Sequence, residues 1–437
     1  MTTRTMSISL NSESPADTGR REVLKQGFAS LFALSGAATL SACHDDGSSG
    51  PKVKSNIENI GPLAAVPDAN GLRLPAGFTS RIVARSGYIP AGTYPWHRLP
   101  DGGATFALPG GGWIYVSNSE ENPGLGGVGA LEFDATGNLV DAFSILTGTT
   151  KNCAGGPTPW DTWLSCEEYD DGLVWECFPA SRDASTAMAM PAMGVFWHEA
   201  AATDPVTGIV YLTEDRLDAC FYRFIPDDFG DLSSGKLQAA VLAEAGPDQM
   251  AVEGTVSWID IPDPSAATDT TRAQAQAAGA SIFRRGEGAW QHGRVTYFST
   301  TSDNTIWAYE PDIGDATGIL YQLYNNTDLF PGDTTLRGID NLGGTRAGDI
   351  VVAEDTPPNA LELQALTNTS PTRLVPLLAL EGHTVFGFAG ELTGPAFDPS
   401  GTRLYFSSQR GTEADFLQFG NLRGVTFEIT GPFVIDA

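Results

Sequence analysis

The hydrophobic positions of this chain fall in short runs. Six of the runs share one pattern: a few apolar residues, then Ser or Thr, then in most cases an acid. They are Trp113–Glu120, Thr162–Glu168, Ile209–Asp215, Val295–Asp303, Ile350–Asp355 and Leu404–Gln409. Most follow a Gly-containing turn, and several precede a second apolar run such as Ala130–Phe133, Cys220–Phe224 or Thr305–Tyr309. Short apolar runs bounded by glycine turns predict β-strands. Tyr115 lies 49 residues before Leu164, Leu164 47 before Tyr211, Tyr297 55 before Val352, and Val352 53 before Tyr405. Spacings near 50 suit four-stranded propeller blades. The one long gap, 86 residues from Tyr211 to Tyr297, holds an insertion in which 266–280 reads as a surface helix. The pattern predicts an all-β chain: a six-bladed β-propeller with short helical insertions over residues 59–437. An array of β-sandwiches explains the regular spacing less well.

The N-terminus follows another pattern. Arg20-Arg21 leads into an apolar run, Phe28–Leu40, that is too short to span a bilayer as a permanent helix. The segment resembles a twin-arginine export signal. It ends in Leu40-Ser41-Ala42-Cys43, which resembles a lipobox with Cys43 as the lipidated residue. A plain signal peptide cut nearby is the simpler alternative. Residues 1–42 are thus expected to be a removed signal, and 43–58, polar and rich in Gly and Ser, a flexible tether. Twin-arginine export carries folded protein and suits enzymes that acquire a metal before leaving the cytoplasm. The expected location is the cell envelope, periplasmic or extracellular, with the membrane reached through the lipid alone.

Composition sharpens this picture. The chain of 437 residues carries 53 acidic and 25 basic groups, a net charge of −28. Residues 1–42 are nearly neutral, so the acid belongs to the remainder. A nucleic-acid partner is disfavoured, because phosphate backbones require a basic surface. Excess carboxylate favours divalent cations, calcium above all, although part of it serves solubility. Five histidines leave few ligands for a His-rich zinc centre, and His292 and His383 read as surface or loop residues. Cys153, Cys166, Cys177 and Cys220 follow Cys43. A Cys177–Cys220 pairing is a weak expectation for an oxidising compartment.

The candidate chemistry lies at the strand ends. Cys153 stands on a Gly/Pro-rich loop, and Glu167-Glu168 closes the strand that follows. Soft sulfur beside hard oxygen suits a site mixing a transition metal with a hard cation. One such carboxylate alone reads as a solvated strand end. Its recurrence at Glu120, Glu214, Asp215, Glu354 and Asp355 changes that reading; Glu199, just before a turn, Glu287, and more weakly Asp340 and Glu391, each of which also reads as a turn or cap residue, complete the acid set. In a propeller the innermost strands line the axis, so acids at their ends converge on one mouth. Converging acids repel one another unless cations neutralise them. In Arg285-Gly286-Glu287 an extended backbone would put Arg285 and Glu287 on one face. Arg285 then serves either a phosphoryl group or an ion pair with Glu287. No G-x-S-x-G elbow, P-loop or H-E-x-x-H motif is present.

The run Asn152–Glu168, with the twin-arginine signal, His198-Glu199, Leu212–Asp215, Arg285–Gly288, Asp340-Asn341 and Glu354-Asp355, resembles PhoX-type alkaline phosphatases over nearly the whole mature chain. The resemblance implies an exported six-bladed propeller hydrolysing phosphate monoesters at an oxo-bridged centre of Fe3+ and Ca2+. It implies Cys153 as the thiolate ligand to iron. Glu168, Glu214, Glu287 and Asp340, with the neighbouring acids Glu120, Glu199, Glu354 and Glu391, would hold iron and calcium, and Arg285 would contact the substrate phosphate. No protein nucleophile is implied. The chain departs from the family in being shorter, in having Asn118-Ser119-Glu120 where Asn-His-Glu is frequent, and in the lipobox.

The leading expectation is therefore a metal-dependent phosphomonoesterase acting on small phosphate esters as a monomer. A calcium-dependent phosphotriesterase or lactonase on the same platform is the second. The third is a non-enzymatic calcium-binding propeller lipoprotein. Cys153 argues against a purely structural calcium site, since calcium takes oxygen ligands.

Overall fold

The structure is a computed structural model describing residues 53–325, 336–355 and 361–436. The expected signal segment 1–42 and the expected lipidation site Cys43 lie outside these residues. The end of the expected tether belongs to the fold: Val53–Ser55 pairs with Val434–Asp436, and Ile57 is fully buried.

The chain is all-β and propeller-like. Antiparallel meanders form four small sheets of four or five strands and one sheet of nine. The expectation of six separate blades is met in part. Strands of 198–242 and of 286–324 are hydrogen-bonded into one sheet through Gly254–Asp260. The long insertion supplies that extra strand, which pairs with the outer edges of both meanders. The helix expected over 266–280 is shorter, α1 (Thr271–Ala277), capped by the Thr270 hydroxyl on Ala273 N. A second helix, α2 (Glu413–Phe419), follows the strand Arg403–Ser408. Among the described residues no helix is long and apolar enough to cross a membrane.

All six recurring runs are strands, but each is second from the axis. Buried on both faces, such strands become continuously apolar, as in Ile350–Glu354. The strands next to the axis are Pro100–Ala107, Asn152–Pro157, His198–Thr203, Gly286–His292, Ile339–Gly344 and Leu392–Phe397, and each packs against the next in a closed cycle. They are built from small residues because they crowd together. A Cβ on Gly156 would meet the Ala201 carbonyl oxygen at 1.7 Å. The cycle is closed by chain ends: Thr79–Arg85 forms the outer strand beside Val425–Thr430.

Candidate metal centre at the axial mouth

Each inner strand starts at the same end of the axis, and each carries a register irregularity in its first few residues. Bulges of this kind re-aim a side chain and are frequent beside active sites. The second residues of the six strands are Asp101, Cys153, Glu199, Glu287, Asp340 and Thr393. The first five converge. Donor atoms of Asp101, Glu120 and Cys153 lie within 4.8 Å of one another, as do those of Cys153, Glu168 and Glu199, and those of Glu199, Glu287 and Asp340. Cys153 and Glu199 are shared, so the three sets form one continuous cluster.

Desolvation dominates its electrostatics. Burial, and then the fields of Glu287 and Glu168, hold Glu199 well above the usual carboxylate range. Burial and then Asp340 do the same for Glu287, and burial followed by Glu120 lifts Glu168 to about 9. Asp340 is pushed up to about 7 by burial and by Asp355. The Cys153 thiol is raised first by burial, then by Asp101, Glu199 and Glu168. Both oxygens of Glu199 are buried without a hydrogen-bond partner among the described residues. A carboxylate left so is costly unless something cationic meets it.

Cations stand around these acids. Arg285, held at φ +56°, donates Nε and Nη2 to Asp215 at 2.8 and 2.9 Å and lies 2.9 Å from Glu287. The backbone is thus left-handed and not extended at Arg285, and the pairing with Glu287 survives by that turn. Arg410 pairs with Glu391 at 2.7 Å and Asp355 at 4.0 Å. Burial raises Glu120 as it does Glu168, and Lys151 offsets part of the rise in each. Gln409 donates to Asp101 at 2.6 Å and Glu120 at 2.9 Å.

The model of the family described as "Alkaline phosphatase PhoX" matches residues 135–176 and 169–411. The chain belongs to the alkaline phosphatase PhoX family. It is thereby an enzyme of the phosphatase class. Among solved structures, Pseudomonas fluorescens PhoX in complex with vanadate, a transition state analogue, is similar with a TM-score of 0.68 and 16% identity, over 85% of this chain and 97% of that one. That likeness concerns the fold. A Bacteroides thetaiotaomicron protein of unknown function reaches a TM-score of 0.48 at 8% identity, over 81% of this chain and 76% of that one. No curated protein matches the sequence.

Of the ligands that the resemblance to PhoX proteins implied, Cys153, Glu168, Glu199, Glu287, Asp340 and Glu120 lie in the cluster. Glu391 borders it, raised by burial and by Asp340, and is held by Arg410. Glu214 and Glu354, also expected as ligands, lie outside these groups. Glu214 accepts from Tyr222 at 3.0 Å and Arg272 at 2.7 Å, and burial raises it to about 7. Glu354 accepts from Arg337 N at 3.0 Å and Gln364 at 3.4 Å, and burial raises it to about 8. The cause is the pleat, since neighbouring residues of a strand face opposite ways. In Glu167-Glu168, Glu214-Asp215 and Glu354-Asp355 the first acid turns into the sheet and the second toward the axis. Glu167 accordingly accepts from Thr150 N and Trp175.

Asp101, Gln409, Arg410 and Lys151 escaped sequence reasoning. For Asp101 a signal existed: it stands 12 residues before Trp113, as Cys153 stands 10 before Trp163 and Asp340 10 before Ile350. The pairing expected between Cys177 and Cys220 is absent; both thiols are free and packed in different apolar clusters. His383 is buried on Ser408 and not at the surface.

Proposed function

We propose that this chain hydrolyses phosphate monoesters at a metal centre held by Asp101, Glu120, Cys153, Glu168, Glu199, Glu287 and Asp340, with Glu391 at its border. The observation that carries this reading is the meeting of one thiol and several donor-poor carboxylates at one end of the axis, in a member of the PhoX family. The residues fit the group. Sulfur suits iron as Fe3+, and the oxygen set suits Ca2+. The two oxygens of Glu199, without a hydrogen-bond partner among the described residues, would be satisfied by bound cations.

When bound there, the cations supply Lewis-acid stabilisation of phosphoryl oxygens and a template for the reacting groups. The chain's own residues bind and orient. A guanidinium has five N–H donors. Asp215 takes up two at Arg285, while Glu287 lies beside it as an ion pair, leaving donors for a phosphoryl oxygen. The same two carboxylates fix the plane of the guanidinium, so little order is lost when substrate arrives. Lys151 and Arg410 soften the repulsion between the cluster acids and an arriving dianion.

In the same reading the closed cycle of inner strands counts as a six-bladed propeller with residues from about 59 to 437 as one catalytic domain. The protein works as a monomer at the cell envelope, delivered by the twin-arginine segment and anchored through Cys43. The test is elemental analysis of protein purified from its export route, together with p-nitrophenyl phosphate turnover at alkaline pH with calcium. Iron and calcium with turnover are expected. Calcium alone without turnover would leave the lactonase-like or structural alternatives.

A further inference from the structure

Beside the mouth a cleft of about 310 Å³ is lined by Asp215, Arg216, Leu217, Asp218, Arg272 and Arg285. It is a built feature. Arg285 N donates to the Arg216 carbonyl at 2.9 Å, Phe283 N to that of Ala219 at 2.9 Å, and Gln276 to that of Asp218 at 2.6 Å. One wall, with Arg272, comes from helix α1 in the long insertion, which the propeller itself does not require. Three guanidinium groups therefore meet in one cleft of a chain that has 25 basic and 53 acidic groups.

The two acids that line the cleft engage Arg285 and Arg272, and neither pairs with Arg216. Asp215 is engaged by Arg285. Asp218 lies 3.3 Å from Arg272, which also holds Glu214. Arg216 is different. Its one ion pair among the described residues is Asp170 at 3.6 Å, and the Asp170 side chain is 82% exposed. The Arg216 guanidinium lies 4.4 Å from the Trp197 ring centroid, and the Trp197 indole is fixed on Asp170 at 2.7 Å. Stacking on an aromatic face leaves the N–H edge of arginine free for an anion. The plain alternative is that these arginines merely offset the acidic centre. That accounts for Arg285, but Arg216 faces the solvent-directed Asp170 and not the cluster.

We propose that this cleft binds a second anionic group of the substrate, so that the enzyme prefers phosphate monoesters whose leaving group carries its own carboxylate or phosphate. The inference rests on the phosphatase reading and names its substrate class. Arg285 links the two subsites: it serves the phosphoryl group at the centre and forms one wall of the cleft. Arg216 reads the far charge, and Trp197 holds Arg216 in place. Substrate charge in the cleft replaces the weak, exposed pairing to Asp170, which costs little to give up.

The test is kcat/KM of the metal-loaded protein on two matched pairs: 3-phosphoglycerate against glycerol 3-phosphate, and a hexose 1,6-bisphosphate against the hexose 6-phosphate. The wild type is expected to favour the doubly anionic member of at least one pair by about tenfold. Arg216→Ala should erase that preference through KM, and Arg216→Glu should invert it, with metal content unchanged in both. Equal kcat/KM within both pairs would overturn the subsite while leaving the phosphatase reading intact. So would Arg216 variants that lower both members of a pair equally. No turnover of any of the four esters would instead remove the phosphatase reading, and the subsite with it.

Discussion

Glu199 and Asp204 stand at opposite ends of one inner strand, five residues apart, and both are buried. Asp204 is surrounded by donors: Val206 N at 2.7 Å, Thr207 N at 3.3 Å and Arg294 at 3.0 Å. Glu199 has none. Aspartates of other turns on Asp204's side follow its example. Asp398 takes the backbone N–H groups of Thr402 and Arg403, and exposed Asp134 takes those of Thr136 and Asn138. Hydrogen bonds to Thr136 and Asn138 hold Asp134 below its ordinary range, whereas burial and like charge push the mouth acids up. Burial alone thus does not separate a structural acid from a ligand. At this strand the supply of N–H donors does, because a buried polar group that the chain leaves unsatisfied awaits a partner from outside; Asp101, which accepts from Gln409, shows that a cluster acid can also have a donor.

The comparison can be broken most forcefully at Cys153. Cys153→Ala should lose iron and at least about a thousandfold in turnover, a loss of several kcal/mol of metal-derived stabilisation, while circular dichroism stays native. Retained iron with full turnover would sink the assignment of the centre. Next comes Arg285→Ala, for which kcat/KM on p-nitrophenyl phosphate should fall about a hundredfold, the usual scale for one lost oxyanion donor. Metal content measured on the same sample should not change. At the donor-rich end, Asp204→Asn should cost about 1–3 kcal/mol in urea unfolding, because it breaks a buried charged network, and should spare the metals. Glu199→Gln sharpens the contrast from the other side. In protein stripped by chelation it should hold or raise Tm, since it removes a buried charge that has no donor. In the metal-loaded protein it should lower both Tm and metal content. The smallest effect is expected for Glu214→Gln, about 1–2 kcal/mol from the weakened Arg272 and Tyr222 contacts, with metals retained. Loss of a metal in that variant would return Glu214 to the ligand set.

Much of this was legible in the chain. The Ser/Thr-then-acid runs gave the strands, because a strand buried on both faces has to be apolar until it leaves the sheet. Cys153 and Glu168 stood out by residue type and recurrence, whereas Glu199, Glu287 and Asp340 gained their weight from the resemblance to PhoX-type phosphatases. The choice between adjacent acids was not legible, because it depends on which pleat face meets the axis, and a one-residue shift exchanges Glu214 for Asp215. Asp101 stands in Pro100-Asp101-Gly102-Gly103, which reads as a turn, so its spacing before Trp113 was easy to pass over; the closed cycle of strands brings it beside Cys153. The joining of two meanders by Gly254–Asp260 was equally hidden, since that strand lies inside an insertion that looked peripheral.

The strand Thr79–Arg85 is laid down early and its partner Val425–Thr430 almost last, and the cluster draws on residues from 101 to 391. An unfinished chain therefore holds no assembled cluster. On the phosphatase reading, ribosome-bound intermediates would offer a metal only scattered carboxylates and thiols, so metal capture would report that the circle has shut. A truncation at the extreme C-terminus, far from every donor atom, would then read out as a failure to acquire metal.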